Sequence, residues 1–372
     1  MAHLQYKRLV VKAGTGVLTG GTGRLDLEVM SGLVSQIAGL RSLGAEVVLV
    51  TSGAVAAGRD ILLTRQERRG IPFRQVLAAV GQSHLMHFYE QRFAEHCISV
   101  AQALLTWKDL SDRQGYLNVR NTLLALLELG VGPVLNVNDV VAVDEIGEVL
   151  GDNDRLSALV ANLIDADLLA LLTDTDGLHT ADPRVDPDAR LITRVEKIDS
   201  SIEALAGSRL NPNPRGGMST KLEAARLATS SGVATVICNG WERDVLPRLA
   251  RGEGLGTMFP PTSSRLESRK RWMLSEISAR GEIVVDQGAA LVLRGQNRSL
   301  LPVGVLEVKG EFHRGDIVYI VALGGEKVAC GIVSYDSQDI ARIKGEQSDR
   351  IQGVLGYHYG QEVMHRNNMV LL

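Results

Sequence analysis

The segment Leu168-Leu169-Ala170-Leu171-Leu172 leads directly into Thr173-Asp174-Thr175-Asp176-Gly177. An unbroken apolar run that ends in a polar, glycine-containing turn is typical of a strand that is buried on both faces. Such strands belong to parallel sheets that carry helices on both sides. This stretch therefore predicts an α/β fold.

Strand-like and helix-like patterns alternate on both sides of this segment. Apolar residues recur at helical spacing over 27–40, 122–129 and 155–164. Further short apolar runs predict strands at 9–11, 47–50, 100–105, 134–137 and 234–238. The alternation predicts an open, mostly parallel sheet sandwiched by helices over residues 1–255, with ligands beyond the carboxyl ends of the strands.

The pattern changes near residue 250. Residues 251–280 are rich in glycine, proline and basic side chains, and we assign 256–280 as a linker. Beyond it, the sequence predicts short strands at 283–285, 290–293, 316–322 and 327–333. We expect residues 281–372 to form a small, β-rich, barrel-like domain.

Composition narrows the class of protein. The chain has 372 residues, a net charge of −3, 45% hydrophobic residues and 22% charged residues, as expected for a globular protein of two domains. The net charge predicts no general affinity for nucleic acid or anionic membranes, and no apolar run reaches the ~20 residues that span a bilayer. The three cysteines are far apart in sequence, which favours buried free thiols and a cytoplasmic location.

A second informative stretch is Arg215-Gly216-Gly217-Met218-Ser219-Thr220-Lys221, which precedes an apolar helical pattern. Glycines let the backbone approach a ligand closely, and Ser219 or Thr220 can cap a helix whose first amide groups then face an anion. Lys221 adds a positive charge in the first turn. The Walker pattern has Lys before Ser or Thr, so this stretch predicts a phosphate site of another kind, with a plain tight turn as the alternative.

Polar residues also follow several other predicted strands. They form the stretches Lys12-Ala13-Gly14-Thr15-Gly16, Thr51-Ser52-Gly53-Ala54, Asn136-Val137-Asn138-Asp139 and, before a helix, Gly151-Asp152-Asn153-Asp154. Taken singly, each has an ordinary structural explanation, such as helix capping by Asp154. No Ser-His-Asp set, zinc motif or histidine accompanies them. Together they favour a site that binds phosphate and a polar substrate.

The absence of a candidate general base limits the kinds of reaction that this site can catalyse. A carboxylate with a pKa near ~4 is already a nucleophile at neutral pH, so its phosphorylation needs no base. That reaction needs neutralisation of phosphate charge by lysines, helix N-termini and Mg²⁺. The residues therefore favour an ATP-dependent kinase that acts on a carboxylate.

The same motifs resemble those of the amino acid kinase superfamily and, within it, the glutamate 5-kinase family. Members of that family catalyse the first step of proline synthesis from glutamate. The resemblance rests on 12–15, 51–54, 151–154, 171–174 and 216–221, with Ala78-Ala79-Val80-Gly81-Gln82 and Ala181-Asp182-Pro183-Arg184 supporting the narrower match. Residues 281–359 resemble a PUA domain, and Tyr357-His358-Tyr359-Gly360 resembles the end of such chains.

The resemblance implies roles for individual residues. Lys12 would contact the transferred phosphate and Lys221 the ATP phosphates, while Asp154 would hold both lysines in position. The residues implied to bind or lie near glutamate are Thr15, Ser52, Gly53, Asp139, Asp152 and Asn153. Those implied to line the ATP site are Lys12, Thr173, Asp174, Arg215, Gly216, Gly217, Met218, Ser219, Thr220 and Lys221. No residue is assigned as a metal ligand, because Mg²⁺ is expected to arrive with ATP.

Departures from the family pattern leave some implications open. Val137 stands where the family has Glu, and Asn213-Pro214-Arg215 stands where it has Gly-Thr before the glycines. The resemblance further implies feedback inhibition by proline and a homo-oligomer. The alternatives are another carboxylate kinase of this fold, such as acetylglutamate kinase or aspartokinase, and an RNA-binding PUA protein, for which no basic, aromatic-rich face is visible.

Overall fold

The computed structural model describes residues 3–62, 71–142, 153–206, 217–264, 281–296 and 298–372. The chain divides into two compact units, Met1–Ser264 and Arg265–Leu372.

Seven strands form the sheet of the first unit. They are β1 (Arg8–Ala13), β2 (Glu46–Thr51), β3 (Val100–Leu105), β4 (Gly132–Val137), β5 (Leu168–Thr173), β6 (Ala234–Asn239) and β7 (Thr257–Phe259). Their order is β3-β4-β2-β1-β5-β6-β7, parallel throughout except that β7 runs antiparallel to β6. All six predicted strands of this region lie within β1 to β6, which confirms the open, mostly parallel sheet.

Helices connect the strands. They are α1 (Thr15–Leu18), α2 (Leu27–Ser42), α3 (Ala54–Leu62), α4 (Ile71–Ala94), α5 (Trp107–Ser111), α6 (Arg113–Glu128), α7 (Asn153–Leu163), α8 (Ser200–Leu205), α9 (Met218–Ser230) and α10 (Val245–Ala250). None of the helices in the described ranges is long and apolar enough to cross a membrane.

The sheet is covered on both faces, as its alternating side chains show. Leu9 and Val11 of β1 belong to one apolar cluster, which includes Ile37 of α2. Val10, between them, belongs to a second cluster, which includes Leu222 of α9. Because neighbouring side chains of a strand point to opposite faces, these two clusters lie on opposite sides of the sheet. This explains why the strands are continuously apolar.

The end of the first unit differs from the linker prediction. Thr257–Phe259, inside the predicted linker 256–280, form β7, and Phe259 is buried against the sheet. Farther on, Thr262 N donates to Thr229 O at 3.0 Å. The segment to Ser264 is therefore part of the first unit. Residues 265–280 lie outside the described residues, and the exact domain boundary stays a prediction.

The second unit contains a five-stranded sheet. Its strands are β8 (Gly281–Val285), β9 (Val305–Gly310), β10 (Ile317–Ala322), β11 (Lys327–Ile332) and β12 (Met369–Leu371). Their order is β12-β11-β10-β8-β9, so in the described part of the unit the two end strands do not pair and the sheet is open rather than closed into a barrel. The helices are α11 (Gln287–Gln296), α12 (Ser337–Ile343) and α13 (Ile351–Leu355).

The prediction of a strand at 290–293 was wrong, because these residues lie in α11. A short apolar run between glycines does not distinguish a strand from a buried helix. The deciding signal is Asp286, whose Oδ1 accepts a hydrogen bond from Ala289 N at 2.7 Å and stabilises the start of the helix.

The cysteines are free thiols, as expected. Cys238 and Cys330 are buried, but Cys97 is exposed, so the expectation of burial was wrong for Cys97.

Candidate active site

The parallel sheet brings its carboxyl-terminal strand ends to one edge, where the predicted polar turns lie. Lys12 is the penultimate residue of β1, Ser52 and Gly53 follow β2, and Asn136 is near the end of β4. The helix α7 begins at Asn153. Gly53 has a φ of +103°, a conformation that favours glycine, and lets the chain turn sharply from β2 into α3.

Three buried charged groups meet at the centre of this edge. Lys12 Nζ lies 2.5 Å from Asp154 Oδ1, and Lys221 Nζ lies 3.1 Å from Asp154 Oδ2. The exposed fractions are 5% for Lys12, 0% for Asp154 and 7% for Lys221. The two ammonium groups are thus held by one carboxylate between β1, α7 and α9. The triad has two positive charges and one negative charge, so it carries a net positive charge.

The carboxyl group of Asp154 is ionised throughout the physiological range. Burial raises the pKa of this carboxyl group. The charges of Lys12 and Lys221 and the hydrogen bonds from Lys12 and Thr220 together have a larger, opposite effect and lower the pKa to about 2. Asp154 is therefore an anchor for the two lysines and not a proton donor or acceptor at neutral pH.

Two asparagines connect α7 to β2 and β4. Asn153 Nδ2 lies 3.0 Å from Ser52 Oγ and 3.0 Å from Asn136 Oδ1. The backbone N–H of Val137 donates to Asn136 Oδ1 at 2.9 Å and to Asn153 Oδ1 at 3.3 Å. The network fixes Ser52 and Asn153 beside each other, and the resemblance implies that both bind glutamate. It uses only the backbone of Val137, whose side chain is buried in the apolar core.

Asp139 lies in the turn that follows β4. Burial raises the pKa of its carboxyl group, and the positive charge of Arg74 lowers it by a smaller amount. Gln75 of α4 donates to Val140 O at 2.9 Å and holds the same turn. A partly desolvated carboxylate of this kind gains from binding an ammonium group.

A second group of polar residues follows β5. Thr173 Oγ1 donates to Asp174 Oδ1 at 3.0 Å, and Thr173 O accepts from Gly240 N at 2.9 Å. A Cβ on Gly16 would lie 3.5 Å from Asp174 Oδ2, which places Asp174 against the turn after β1. Thr15 is exposed at the start of α1. Thr173 and Asp174 are therefore on the β5 side of the lysine–aspartate centre.

The start of α9 differs in detail from the prediction. The capping residue is Gly217, which has no side chain to make the cap, and Ser219 and Thr220 lie in the first turn of the helix. Thr220 Oγ1 is 2.9 Å from Asp154 Oδ2 and 2.8 Å from Gly217 O. The prediction that Ser219 or Thr220 caps α9 was wrong, because the helix already begins at Met218. Thr220 instead tethers α9 to Asp154.

Some predicted site residues lie outside the described residues: Asp152, Arg215 and Gly216. Of the predicted residues that are described, the side chains of Lys12, Thr220 and Lys221 converge on Asp154, and Ser52 is joined to Asn153. Gln82 accepts a hydrogen bond from Asn136. It belongs to the stretch 78–82 that supports the resemblance, but the sequence reasoning gave it no role in the site. The signal in the sequence is an amide between Ala78 and Leu85, which are both buried on the same face of α4.

The described residues contain no group of three or more His, Cys, Asp or Glu side chains placed to hold a metal ion. Mg²⁺ is commonly held by substrate phosphates, water and one or two carboxylates rather than by a protein cage. The described residues are therefore compatible with a metal ion that binds together with the nucleotide, and we assign no side chain of the protein as its ligand.

Comparison with known families identifies both units. The sequence model of the amino acid kinase family matches residues 7–239, and that of the PUA domain matches residues 281–355.

Other proteins are similar to this chain over nearly its whole length. A protein named glutamate 5-kinase from Dehalococcoides mccartyi (strain CBDB1) is 54% identical, with 99% of each chain covered. One of the same name from Herpetosiphon aurantiacus is 52% identical over 98% of each chain. A solved UMP kinase from Bacillus anthracis covers 69% of this chain and 97% of its own, with a TM-score of 0.46 and 16% identity, and a likeness this distant supports no statement about function.

Proposed function

Because the chain belongs to the amino acid kinase family, we propose that it transfers the γ-phosphoryl group of ATP to the side-chain carboxylate of L-glutamate. The product is L-glutamyl 5-phosphate, and the reaction is the first step of proline biosynthesis. The full-length similarity to proteins named glutamate 5-kinase supports this substrate over the other carboxylates considered above. The resemblance inferred from the motifs is confirmed.

The observation that carries the proposal is the buried Lys12–Asp154–Lys221 triad. An ionised carboxylate oxygen of glutamate attacks the γ-phosphorus, and the bond from phosphorus to the ADP oxygen breaks. Negative charge on the transferred group and on the leaving phosphate needs fixed positive partners in the transition state. Two lysine ammonium groups with one carboxylate between them supply such partners without any proton transfer.

The roles on the glutamate side follow from the Ser52–Asn153–Asn136 network. Ser52 and Asn153 offer hydrogen bonds to glutamate, and Asp139 offers a carboxylate to its ammonium group. Thr15 and Gly53 line the same edge, with Asp152 expected beside them from the sequence.

The roles on the nucleotide side follow from β5 and α9. We assign Thr173 and Asp174 to the ATP site, together with the stretch 215–221, whose helix N-terminus favours phosphate. A kinase that uses ATP requires a divalent metal, and we propose Mg²⁺, which neutralises phosphate charge when bound. The only carboxylate of the triad, Asp154, is paired with Lys12 and Lys221. We therefore assign the metal to the phosphates of ATP and not to the triad.

A trapping assay tests the function directly. Purified protein is incubated with ATP, Mg²⁺ and hydroxylamine, which converts an acyl phosphate to a stable hydroxamate. Glutamate, aspartate and acetylglutamate are compared as acceptors. Hydroxamate formation with glutamate is expected, and preference for aspartate or acetylglutamate would replace the proposed substrate.

Asp139→Ala and Asn153→Ala are expected to raise the KM for glutamate by about 10-fold or more, because each removes a hydrogen bond to a charged group. The KM for ATP should change less than about twofold. Steady-state kinetics with each substrate varied in turn measures both constants. An equal rise in the two KM values would mean that these residues support the whole site or that the two subsites are exchanged.

Proline is expected to compete with glutamate, since it carries the same α-carboxylate and a similar ammonium group. The loop 144–151, which immediately precedes Asp152 in the sequence, lies outside the described residues. Glutamate saturation curves at increasing millimolar proline should shift to higher KM. Curves that do not move would show that this enzyme lacks the control.

A chain that ends at Ser264 is expected to remain soluble and to retain phosphoryl transfer, because all described residues of the proposed site lie in the first unit. The matched control ends at Gly256 and lacks β7. It should be less stable, because it loses the buried Phe259 and the bond from Leu178 N to Thr257 Oγ1 at 2.8 Å. A folded but inactive chain 1–264 would place an essential group in the second unit.

Three further assignments remain proposals. A cytoplasmic location is supported by the free thiols, and a homo-oligomer by the family resemblance. RNA binding by the second unit is not expected at moderate salt, and a gel-shift experiment would test this.

A further inference from the structure

The amide side chain of Gln82 lies on the face of helix α4 that packs against the core. Ala78, Leu85, Tyr89 and Phe93 recur at helical spacing and are buried in the core of the first unit. Gln82 lies on the same face, four residues after Ala78 and three before Leu85. An amide among apolar neighbours lowers stability unless its polar atoms are hydrogen-bonded. Gln82 therefore requires a reason to be there.

Among the residues that the structure describes, only the oxygen end of the Gln82 amide has a hydrogen-bond partner. Asn136 Oδ1 accepts from Val137 N and Asn153 Nδ2, so Asn136 must present its Nδ2 to Gln82. Asn136 Nδ2 donates to Gln82 Oε1 at 2.8 Å. This leaves Gln82 Nε2 as the donor end of the amide. Nε2 is buried and has no hydrogen-bond acceptor among the described residues.

Two glycines allow α4 to approach the site this closely. A Cβ on Gly81 would lie 1.8 Å from Ala54 O, and a Cβ on Gly58 would lie 2.0 Å from Leu77 O. The backbones of α3 and α4 are thus in direct contact immediately after the turn that carries Ser52 and Gly53. Because of this contact, Gln82 lies within hydrogen-bonding distance of Asn136 at the end of β4.

We propose that Gln82 is a further substrate-binding residue, whose Nε2–H donates to a carboxylate oxygen of the amino-acid substrate. The chain Gln82–Asn136–Asn153–Ser52 is a continuous hydrogen-bonded arc, and two of its members are already assigned to the acceptor subsite. A carboxylate is the partner that a buried, unsatisfied amide donor prefers, because a charge-assisted bond is stronger than a neutral one. The inference rests on the proposed function, since it names a contact within the same subsite.

Two substitutions separate substrate binding from support of Asn136. Gln82→Met removes donor and acceptor and suits the apolar face of α4. Gln82→Glu keeps an oxygen to accept from Asn136 Nδ2 but replaces the donor by an acceptor. We expect the KM for glutamate to rise about 10-fold in Gln82→Met and more in Gln82→Glu, with the KM for ATP changed less than about twofold. The KM of Gln82→Glu should fall as pH is lowered, because a protonated Glu regains a donor.

The control is Gln91→Met, which changes an exposed glutamine of the same helix and should behave as the wild type. Glutamate-dependent thermal stabilisation of each variant gives a second readout that does not depend on turnover. A wild-type KM for glutamate in Gln82→Glu would overturn the inference and leave Gln82 as a support for Asn136. Wild-type protein that forms no hydroxamate with glutamate would overturn the proposed function instead, so the two failures are distinct.

Discussion

Lys12→Ala and Lys221→Ala are each expected to lower kcat by about 10²–10³-fold, the usual loss when one charge-stabilising donor is removed from a transition state. Both lysines are nearly buried and hold their ammonium groups on Asp154, so their positions are fixed before substrate binds. The loss should appear in kcat more than in KM, because charge on the transferred group develops in the transition state. Hydroxamate formation at saturating ATP and glutamate measures it.

The matched control for these variants is Lys108→Ala, which removes an exposed lysine from α5. Its kcat should equal that of the wild type. Circular dichroism and thermal unfolding of each variant show whether the fold persists. Turnover near the wild-type value in a folded Lys12→Ala protein would make that lysine a structural ion-pair partner only.

The parallel strands could be predicted from sequence because most of them are short apolar runs, as burial on both faces requires. The exception is β3 at the edge of the sheet, where Gln102 and Leu104 are exposed. The sequence also predicts that the polar turns after these strands lie together, since parallel strands bring their carboxyl ends to one edge. The strand β7 could not be predicted, because three residues after a glycine-rich segment carry too little periodicity. Its place is decided by pairing with β6 and by burial of Phe259, which are tertiary effects.

The arrangement of charges within the candidate site could not be predicted from composition and residue spacing. Asp154 has the sequence context of a helix cap, and only the family resemblance implied its link to the lysines. The structure brings residues 12, 154 and 221 together from three separate elements, with all three buried. Gln82 was missed as a site residue for a related reason, since its significance lies in an unsatisfied donor that the sequence does not show.

Asp154→Asn is expected to lower kcat by at least about 10³-fold, because it releases both lysines from their common anchor. The loss in the double variant Asp154→Asn/Lys12→Ala should be much smaller than the product of the two single losses, since Asp154 acts through Lys12. Kinetic comparison of the four proteins in this cycle measures the coupling. Fully multiplicative losses would show that Asp154 and Lys12 contribute independently.

The same substitution is expected to lower the free energy of unfolding in a pH-dependent way. The folded-state pKa of Asp154 is about 2, below its ordinary value of 3.8, so ionised Asp154 stabilises the fold above the unfolded-state pKa. That difference corresponds to about 2 kcal/mol, and roughly half of it should be lost by about pH 3 as the pH falls towards the folded-state pKa. Urea unfolding of the full-length wild type and Asp154→Asn at pH 7 and pH 3 tests this. A difference between the two proteins that does not shrink in acid would mean that Asp154 stabilises the fold through contacts other than its charge.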